Sequence, residues 1–134
     1  MNSDWIDDEG FRANVGIILT DDRGKLMIAG RVGSKGWQFP QGGMLRGEDA
    51  EQAMYRELHE EVGLEPDDVE VLGVTSDSLP YALQEIFIRR NSTPLCIGQK
   101  QRWFMLHLVS SDDRLRFDRA DQPEFDRIRW VDFW

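Results

Sequence analysis

Residues 42–64, GGMLRGEDAEQAMYRELHEEVGL, combine two adjacent glycines, a capped helix and a cluster of acidic side chains. Asp49 is suited to the N-cap position, and Gln52 three residues later completes a capping box. Gly63 suits the left-handed residue that commonly ends a helix. The segment therefore predicts a helix from Ala50 to Val62.

The predicted helix has one apolar stripe and one acidic flank. At about 100° per residue, the stripe contains Ala50, Met54, Leu58 and Val62. Glu57, Glu60 and Glu61 gather along its flank, with Glu57 and Glu61 nearest the buried boundary. Like charges three or four residues apart repel, so a cation should offset their cost. Carboxylate oxygens suit Mg²⁺ or Mn²⁺, although a solvated acidic face is the alternative.

The spacing of the fixed residues favours a functional site. Five residues separate Gly42 from Glu48, seven separate Glu48 from Arg56, and Arg56 begins the run RELHEEVGL. This pattern resembles the Nudix box, the signature of hydrolases that cleave a nucleoside diphosphate linked to another group. The segments IDDEGFRANVGIIL, GWQFPQGG, CIGQKQRWF and QPEFDRIRWVDFW are also similar to the bacterial RNA pyrophosphohydrolase branch, whose members were first described as dinucleoside polyphosphate hydrolases.

The resemblance implies an enzyme that converts the 5′-triphosphate end of RNA to a monophosphate and so initiates mRNA decay. One alternative is the same fold acting on dinucleoside polyphosphates, such as diadenosine tetraphosphate, or on free nucleotides. Another is a catalytically inactive module that binds RNA 5′ ends. The intact set of carboxylates in the box favours an enzyme over that module.

The resemblance also implies roles for individual residues. Mg²⁺, or Mn²⁺ in its place, would be bound by Glu57, Glu60, Glu61, Glu124 and the backbone carbonyl of Gly42, with more than one ion when substrate is present. The expected catalytic residues are Glu61, Glu57, Glu124 and Arg56, with the proton passing to Glu61 or Glu124. Substrate contacts are expected from Arg12, Arg31, Tyr81, Gln99 and Lys100. Structural support is expected from Glu48, Gly43 and Gly63.

Composition limits the cellular setting and the size of any RNA contact. The 134 residues predict one domain, 1–134, and the net charge of -9 argues against extensive phosphate contacts. A single cysteine, Cys96, excludes an intramolecular disulfide, and residues 1–10 lack the features of a signal peptide. With no stretch long enough to span a membrane, we expect a cytoplasmic monomer.

Strand patterns surround the box. Residues 14–20 and 26–31 predict a hairpin, preceded by an irregular segment that contains Phe11 and Arg12. Trp37, Phe39 and Pro40 predict an extended segment leading into a catalytic loop, with both aromatic rings in the core rather than stacking on bases. Further strands are predicted at 69–74, 85–90, 96–110 and 128–131.

The remaining segments predict loops at 76–83 and 111–121, the second of them mobile, and a break at 91–94. The strand at 96–110 is apolar on both faces, which predicts an interior position covered on both sides. One helix among six or seven strands predicts a mixed sheet in an α/β sandwich. His59 should project away from the acidic cluster, and His107 should be a packed or edge histidine rather than a metal ligand.

The resemblance makes the fold a Nudix α/β/α sandwich, which the family closes with a C-terminal helix carrying a Phe-Lys pair. The sequence ends at Trp134, where that helix would begin. We therefore expect a truncated or shortened member, in which one face of the sheet lacks its cover.

Overall fold

A computed structural model describes residues 10–75, 79–82, 98–118 and 123–132. Its strands are β1 Phe11–Thr20, β2 Leu26–Arg31, β3 Trp37–Gln38, β4 Gln41–Gly43, β5 Val69–Val74, β6 Leu79–Ala82, β7 Gly98–Leu108 and β8 Phe125–Val131. Its helices are α1 Ala50–Val62 and the short 3-10 helices Pro66–Asp68 and Asp112–Arg114.

The strands form one mixed sheet, as predicted. Its main path runs β3-β2-β1-β7-β5, while β4 pairs with β1, β6 with β7, and β8 with β2. The central pair, β1 and β7, is parallel from Phe11 opposite Gly98 to Thr20 opposite His107. The other pairings are antiparallel. The predicted hairpin of β1 and β2 is present, with Thr20 opposite Leu26.

The predicted bounds and caps of α1 are confirmed. Asp49 Oδ1 accepts a hydrogen bond from Gln52 N at 2.8 Å, and Gln52 Oε1 accepts one from Asp49 N at 3.0 Å. Gly63 ends the helix with a φ of 75°. The apolar stripe packs on one face of the sheet because alternate residues of β1 face it. This core includes the fully buried side chains of Val15, Ile17, Leu19, Met27, Met54, Leu58 and Val62.

Three segments predicted as irregular are strands. Phe11 and Arg12 belong to β1 because β7 pairs with them, and residues 79–82 of the predicted loop at 76–83 form β6 against the beginning of β7. Pro80 is compatible with β6, which pairs only with β7 among the described residues. The predicted catalytic loop at 41–43 is β4, because its backbone pairs with β1.

β7 and Trp37 are less buried than predicted. β7 is interior, between β1 on one side and β5 and β6 on the other, but Met105 is 39% exposed, so part of one face is uncovered among the described residues. Trp37 was predicted in the core and is 38% exposed, because its strand β3 ends the main path of the sheet. Phe39 is half-buried and packs edge-on against Trp103 with ring centroids 6.1 Å apart.

His107 and the remaining predicted segments complete the comparison of sequence and fold. His107 Nε2 lies 2.7 Å from Asp22 Oδ1, in keeping with an edge histidine. The predicted loop at 111–121 contains the 3-10 helix Asp112–Arg114, and its last residues lie outside the described residues, as do the predicted strand at 85–90, the break at 91–94 and Cys96. In the parts of the chain that the structure describes, no helix is long and apolar enough to cross a membrane.

We predict that Leu58→Ala lowers the free energy of unfolding by about 2–5 kcal/mol, because Leu58 is fully buried and its loss leaves a cavity under α1. Leu72→Ala is the matched control, since Leu72 is 53% exposed, and should change this free energy by less than about 1 kcal/mol. Urea unfolding measures both values. Equal losses in the two variants would contradict the assigned core.

Candidate functional site

Three glutamates of α1 converge near its C-terminal end. One carboxylate oxygen from each of Glu57, Glu60 and Glu61 lies within 4.8 Å of the other two. Glu57 is 7% and Glu61 is 9% exposed, whereas Glu60 is more open to solvent. The helix therefore holds two buried carboxyl groups close together, as its amphipathic pattern predicts.

Glycine at position 42 brings β4 against this cluster. A Cβ atom at Gly42 would overlap the Glu57 carboxylate, so glycine at this position lets the carboxylate lie directly against the backbone of β4. β4 is fixed by its pairing with β1, where Asn14, Val15 and Gly16 lie opposite Gly43, Gly42 and Gln41. The sheet thus sets the position of Glu57 relative to the backbone of β4.

Arg56 ties the segment after β4 to the helix. Its Nε donates to Glu48 Oε2 at 2.7 Å and its Nη2 donates to Glu48 Oε1 at 3.0 Å and to the Gly43 carbonyl at 2.8 Å. Its Nη1 donates to Glu57 Oε1 at 2.8 Å, and Glu48 Oε1 also accepts from Leu45 N at 2.7 Å. The predicted contact of Arg56 with a box glutamate is therefore present, and Glu48 does contact the loop.

Burial and the contacts with Arg56 give the carboxyl groups different pKa values. The hydrogen bonds from Arg56 hold the pKa of Glu48 below its ordinary value. Burial raises the pKa of Glu57 to about 7, although Arg56 opposes the rise. Burial also raises the pKa of Glu61 to about 8, and the negative charges of Glu124 and Glu57 add to it. The two buried carboxyl groups thus titrate near neutral pH, a common property of functional sites.

Glu124 approaches the cluster from the residue before β8. Its backbone carbonyl accepts from Val32 N at 2.9 Å, and its Oε1 accepts from Gln38 Nε2 at 3.4 Å. Because its charge contributes to the raised pKa values of both Glu57 and Glu61, Glu124 faces the helix glutamates from another element. Gln38 was not among the predicted site residues. The available signal was a polar residue between two aromatic ones in an extended segment.

The donor set fits a hard divalent cation. Glu61 Oε2 is buried and has no hydrogen-bond partner among the described residues, so a carboxyl oxygen is left for a ligand. Oxygen ligands from one or two carboxylates, completed by water and phosphate, suit Mg²⁺ or Mn²⁺. The carbonyl of Gly43 is already engaged by Arg56, while Gly42 adjoins Glu57.

Three predicted substrate residues lie in one row across the sheet. Arg12 of β1 is opposite Gln99 of β7, and Gln99 is opposite Tyr81 of β6. The side chains of Gln99 and Tyr81 lie outside the described residues. Lys100 is the next residue along β7, and Arg31 ends β2 on the other side of the sheet path, with an exposed side chain. The sheet therefore places all five residues on four consecutive strands, β2, β1, β7 and β6.

Comparison with known proteins gives the family. The profile of the NUDIX domain matches residues 10–134. The RNA pyrophosphohydrolase of Pseudomonas putida (strain GB-1) is 56% identical over 129 residues, which cover 96% of this chain and 81% of that protein. The RNA pyrophosphohydrolase of Alkalilimnicola ehrlichii is 54% identical over 129 residues, covering 96% of this chain and 71% of that protein.

Solved structures agree on the fold. The dihydroneopterin triphosphate pyrophosphohydrolase of E. coli has a TM-score of 0.70 at 20% identity and covers 90% of this chain and 80% of its own. A C. elegans Ap4A hydrolase has a TM-score of 0.64 at 16% identity, with 90% and 79% covered. With the profile spanning residues 10–134 and relatives more than half identical across nearly the whole chain, this protein belongs to the Nudix hydrolase family.

Proposed function

We propose that this protein is a divalent-metal-dependent pyrophosphohydrolase that converts the 5′-triphosphate end of RNA to a 5′-monophosphate, the first step of mRNA decay. The observation that carries the proposal is the convergence of Glu57, Glu60 and Glu61 beside Glu124, with Gly42 allowing backbone to approach. The names of the two bacterial relatives support RNA as the substrate. We also propose that the protein acts as a monomer in the cytoplasm.

The carboxylates of Glu57, Glu60, Glu61 and Glu124 would hold Mg²⁺ or Mn²⁺, with the Gly42 carbonyl as a further ligand and a second ion when substrate binds. The bound ion supplies Lewis-acid polarisation of the phosphate oxygens and makes water easier to ionise. Since the buried carboxyl groups of Glu57 and Glu61 repel each other, a divalent cation also removes the cost of ionising both.

The chain itself positions the reacting groups and accepts the proton. Glu61 or Glu124 takes the proton of the attacking water as a phosphoric anhydride bond breaks, and the two carboxyl groups are close enough for Glu124 to raise the pKa of Glu61. Arg56 holds Glu57 and Glu48 in place through a fixed fork of hydrogen bonds. Arg12, Arg31, Tyr81, Gln99 and Lys100 would contact the substrate, and their position on or beside adjacent strands supports this role.

Hydrolysis of dinucleoside polyphosphates or free nucleotides is the alternative, because the carboxylate site contacts only phosphates. The direct test measures phosphate or pyrophosphate release with and without Mg²⁺ from triphosphorylated RNA, diadenosine tetraphosphate and GTP in parallel. We expect the highest kcat/KM for the RNA. Release that is independent of Mg²⁺ would contradict the metal assignment, and a clear preference for diadenosine tetraphosphate would contradict the substrate.

We predict that Glu61→Gln lowers kcat by at least about a hundredfold, because it keeps the shape of the side chain while weakening a catalytic carboxylate. Glu60→Gln should behave similarly. His59→Ala is the control, because His59 Nδ1 lies 2.8 Å from Glu65 Oε1, away from the cluster, and should leave kcat within about twofold. Urea unfolding checks that each variant is folded. A Glu61→Gln enzyme within a few-fold of the parent would refute the assignment.

We predict that the metal-free protein loses stability as pH rises. The ordinary carboxyl pKa is 4.5, and those of folded Glu57 and Glu61 are about 7 and about 8. Between these limits the folded state binds more protons than the unfolded chain, so the free energy of unfolding falls with rising pH and levels off above about pH 8. Mg²⁺ should restore more stability at about pH 8.5 than at about pH 5.5, because its ligands must be deprotonated.

Urea unfolding at both pH values, with EDTA and with Mg²⁺, measures this effect. Glu61→Gln should flatten the pH dependence and reduce the stabilisation by Mg²⁺. Glu51→Gln is the matched control on the exposed side of α1 and should retain both. Equal stabilisation by Mg²⁺ at the two pH values would show that the ion does not bind Glu57 and Glu61.

A further inference from the structure

An exposed aromatic ring with two arginines lies on β3 and β8, the strands that flank Glu124 and its partner Gln38. The guanidinium carbon of Arg127 is 5.1 Å from the Trp37 ring centroid, and that of Arg129 is 5.5 Å from it. We call these three residues the Trp37 cluster. Trp37 keeps 38% of its surface exposed, and Arg129 is also exposed. An exposed tryptophan in contact with two cations on a protein of net charge -9 calls for a physical reason.

The sheet builds this cluster across three strands. Trp37 of β3 is opposite Gly30 of β2, and Gly30 is opposite Arg127 of β8, so the three positions form one row. A Cβ atom at Gly30 would overlap the Arg127 side chain. Glycine therefore leaves the space through which Arg127 crosses β2 to reach the ring of Trp37.

The two arginines differ in the number of hydrogen bonds that they donate within the protein. Arg127 donates to the carbonyls of Arg31 at 3.2 Å and Ser34 at 2.6 Å, and it pairs with Asp126 at 2.6 Å. It is thus fixed to the turn between β2 and β3. Arg129 makes no hydrogen bond or ion pair with the residues that the structure describes. Its guanidinium is directed to the ring and keeps its donors for a ligand.

The charge around the ring is positive. The turn fixed by Arg127 begins at Arg31 and contains Lys35, and both side chains are exposed. Asp126 is already paired with Arg127. A planar ring surrounded by arginine and lysine favours a ligand that offers both a flat base and a negative charge, and single-stranded nucleic acid offers both.

The cluster lies on the face of the sheet away from α1, because Ile128, which lies between Arg127 and Arg129 in β8, packs against the core under the helix. Gln38 follows Trp37 directly but points to the face of α1, where it donates to Glu124 at 3.4 Å. Arg127 is three residues after Glu124, which at about 3.3 Å per residue of strand places its backbone roughly 10 Å away. β3 ends the main path of the sheet, so RNA whose 5′ phosphates lie at the carboxylates would pass around this edge to reach the cluster several nucleotides downstream.

We propose that the Trp37 cluster binds unpaired nucleotides downstream of the 5′ end, with a base against the exposed part of the Trp37 ring and a phosphate at Arg129. The inference rests on the proposed function, which places the 5′ end at Glu124. It adds a binding surface outside the carboxylate centre and makes recognition dependent on RNA length. A base inside a duplex cannot be placed against the ring, so this surface selects single strands.

The first test measures binding without catalysis. A 5′-hydroxyl RNA of about eight unpaired nucleotides cannot be hydrolysed at a triphosphate, so its affinity reports on contacts with the bases and internal phosphates, and the variants show the share that comes from the cluster. We expect Trp37→Ala to weaken binding about tenfold, through loss of base stacking. Arg129→Ala should weaken it several-fold and reduce the slope of log affinity against log salt by about 0.7, the value for one phosphate contact in a single strand.

The matched control is Arg23→Ala, which also removes one exposed arginine. Arg23 lies in the turn between β1 and β2, at the other end of β2 from Gly30, where it pairs with Asp21. We expect its affinity to stay within about twofold of the parent. Equal losses in Arg129→Ala and Arg23→Ala would reduce the effect to overall charge and overturn the proposal.

The second test uses turnover. The ratio of kcat/KM for a triphosphorylated RNA of about eight nucleotides to that for one of about two should fall several-fold in Trp37→Ala and in Arg129→Ala, mainly through KM. If the two residues have a purely structural role, kcat/KM falls equally for both RNA lengths and the ratio is unchanged. That result would overturn the proposal. Arg129 is exposed, so its variant remains informative even if Trp37→Ala fails to fold.

The two proposals fail in different ways. If triphosphorylated RNA is hydrolysed but neither variant changes the binding of hydroxyl-ended RNA or the length ratio, the Trp37 cluster is not an RNA site. If no triphosphorylated RNA is hydrolysed but the affinity for hydroxyl-ended RNA still depends on Trp37 and Arg129, the proposed reaction is wrong and the RNA surface stands.

Discussion

The contact between Gly42 and the Glu57 carboxylate is the constraint on which the site depends. A Cβ atom at position 42 would displace this carboxylate from its place against β4. The approach buries Glu57 and, one turn later, Glu61, so that both carboxyl groups lose water and repel each other. Arg56 compensates Glu57 but donates no hydrogen bond to Glu61. The fold thus preserves an unfavourable charge arrangement that a divalent cation would relieve.

The parallel pairing of β1 and β7 connects the two halves of this arrangement. It joins residues about ninety positions apart in sequence, from Phe11 opposite Gly98 to Thr20 opposite His107. β1 also pairs with β4, which carries Gly42, and its alternate residues pack against α1. One strand therefore fixes the glycine, the helix and the row that runs from Arg12 to Gln99 and Tyr81. A change in the packing of β1 would therefore displace the glycine, the helix and the row together.

The carboxylate centre and the Trp37 cluster divide recognition between them. Carboxylates and cations interact with phosphates, which all the candidate substrates share, so this centre by itself cannot distinguish RNA from a dinucleoside polyphosphate. Selectivity must come from surfaces that contact bases or the continuing chain. β8 connects the two, because Glu124 precedes its first residue and Arg127 and Arg129 lie along it. Substrate choice and reaction geometry are therefore linked through one strand.

The predictable part of the site is the part that is continuous in sequence. The capping box, the bounds of α1, the buried positions of Glu57 and Glu61 and the contact of Arg56 all follow from residues 42–64, since helical spacing and local hydrogen bonds are set within a few residues. The resemblance of that segment to the Nudix box added Glu124, whose distance along the chain hides it from periodicity.

Local sequence by itself determined the helix, its caps and the acidic cluster, because each is specified by side chains three or four positions apart. Only the tertiary structure decided that residues 41–43 and 79–82 are strands, because their partners are remote in the sequence. It also decided that Trp37 is exposed beside two arginines, since that depends on β3 ending the main path of the sheet and on Gly30 giving Arg127 room to cross. Apolar character predicts burial only when another layer covers the residue, and here the arrangement of the strands leaves the ring open.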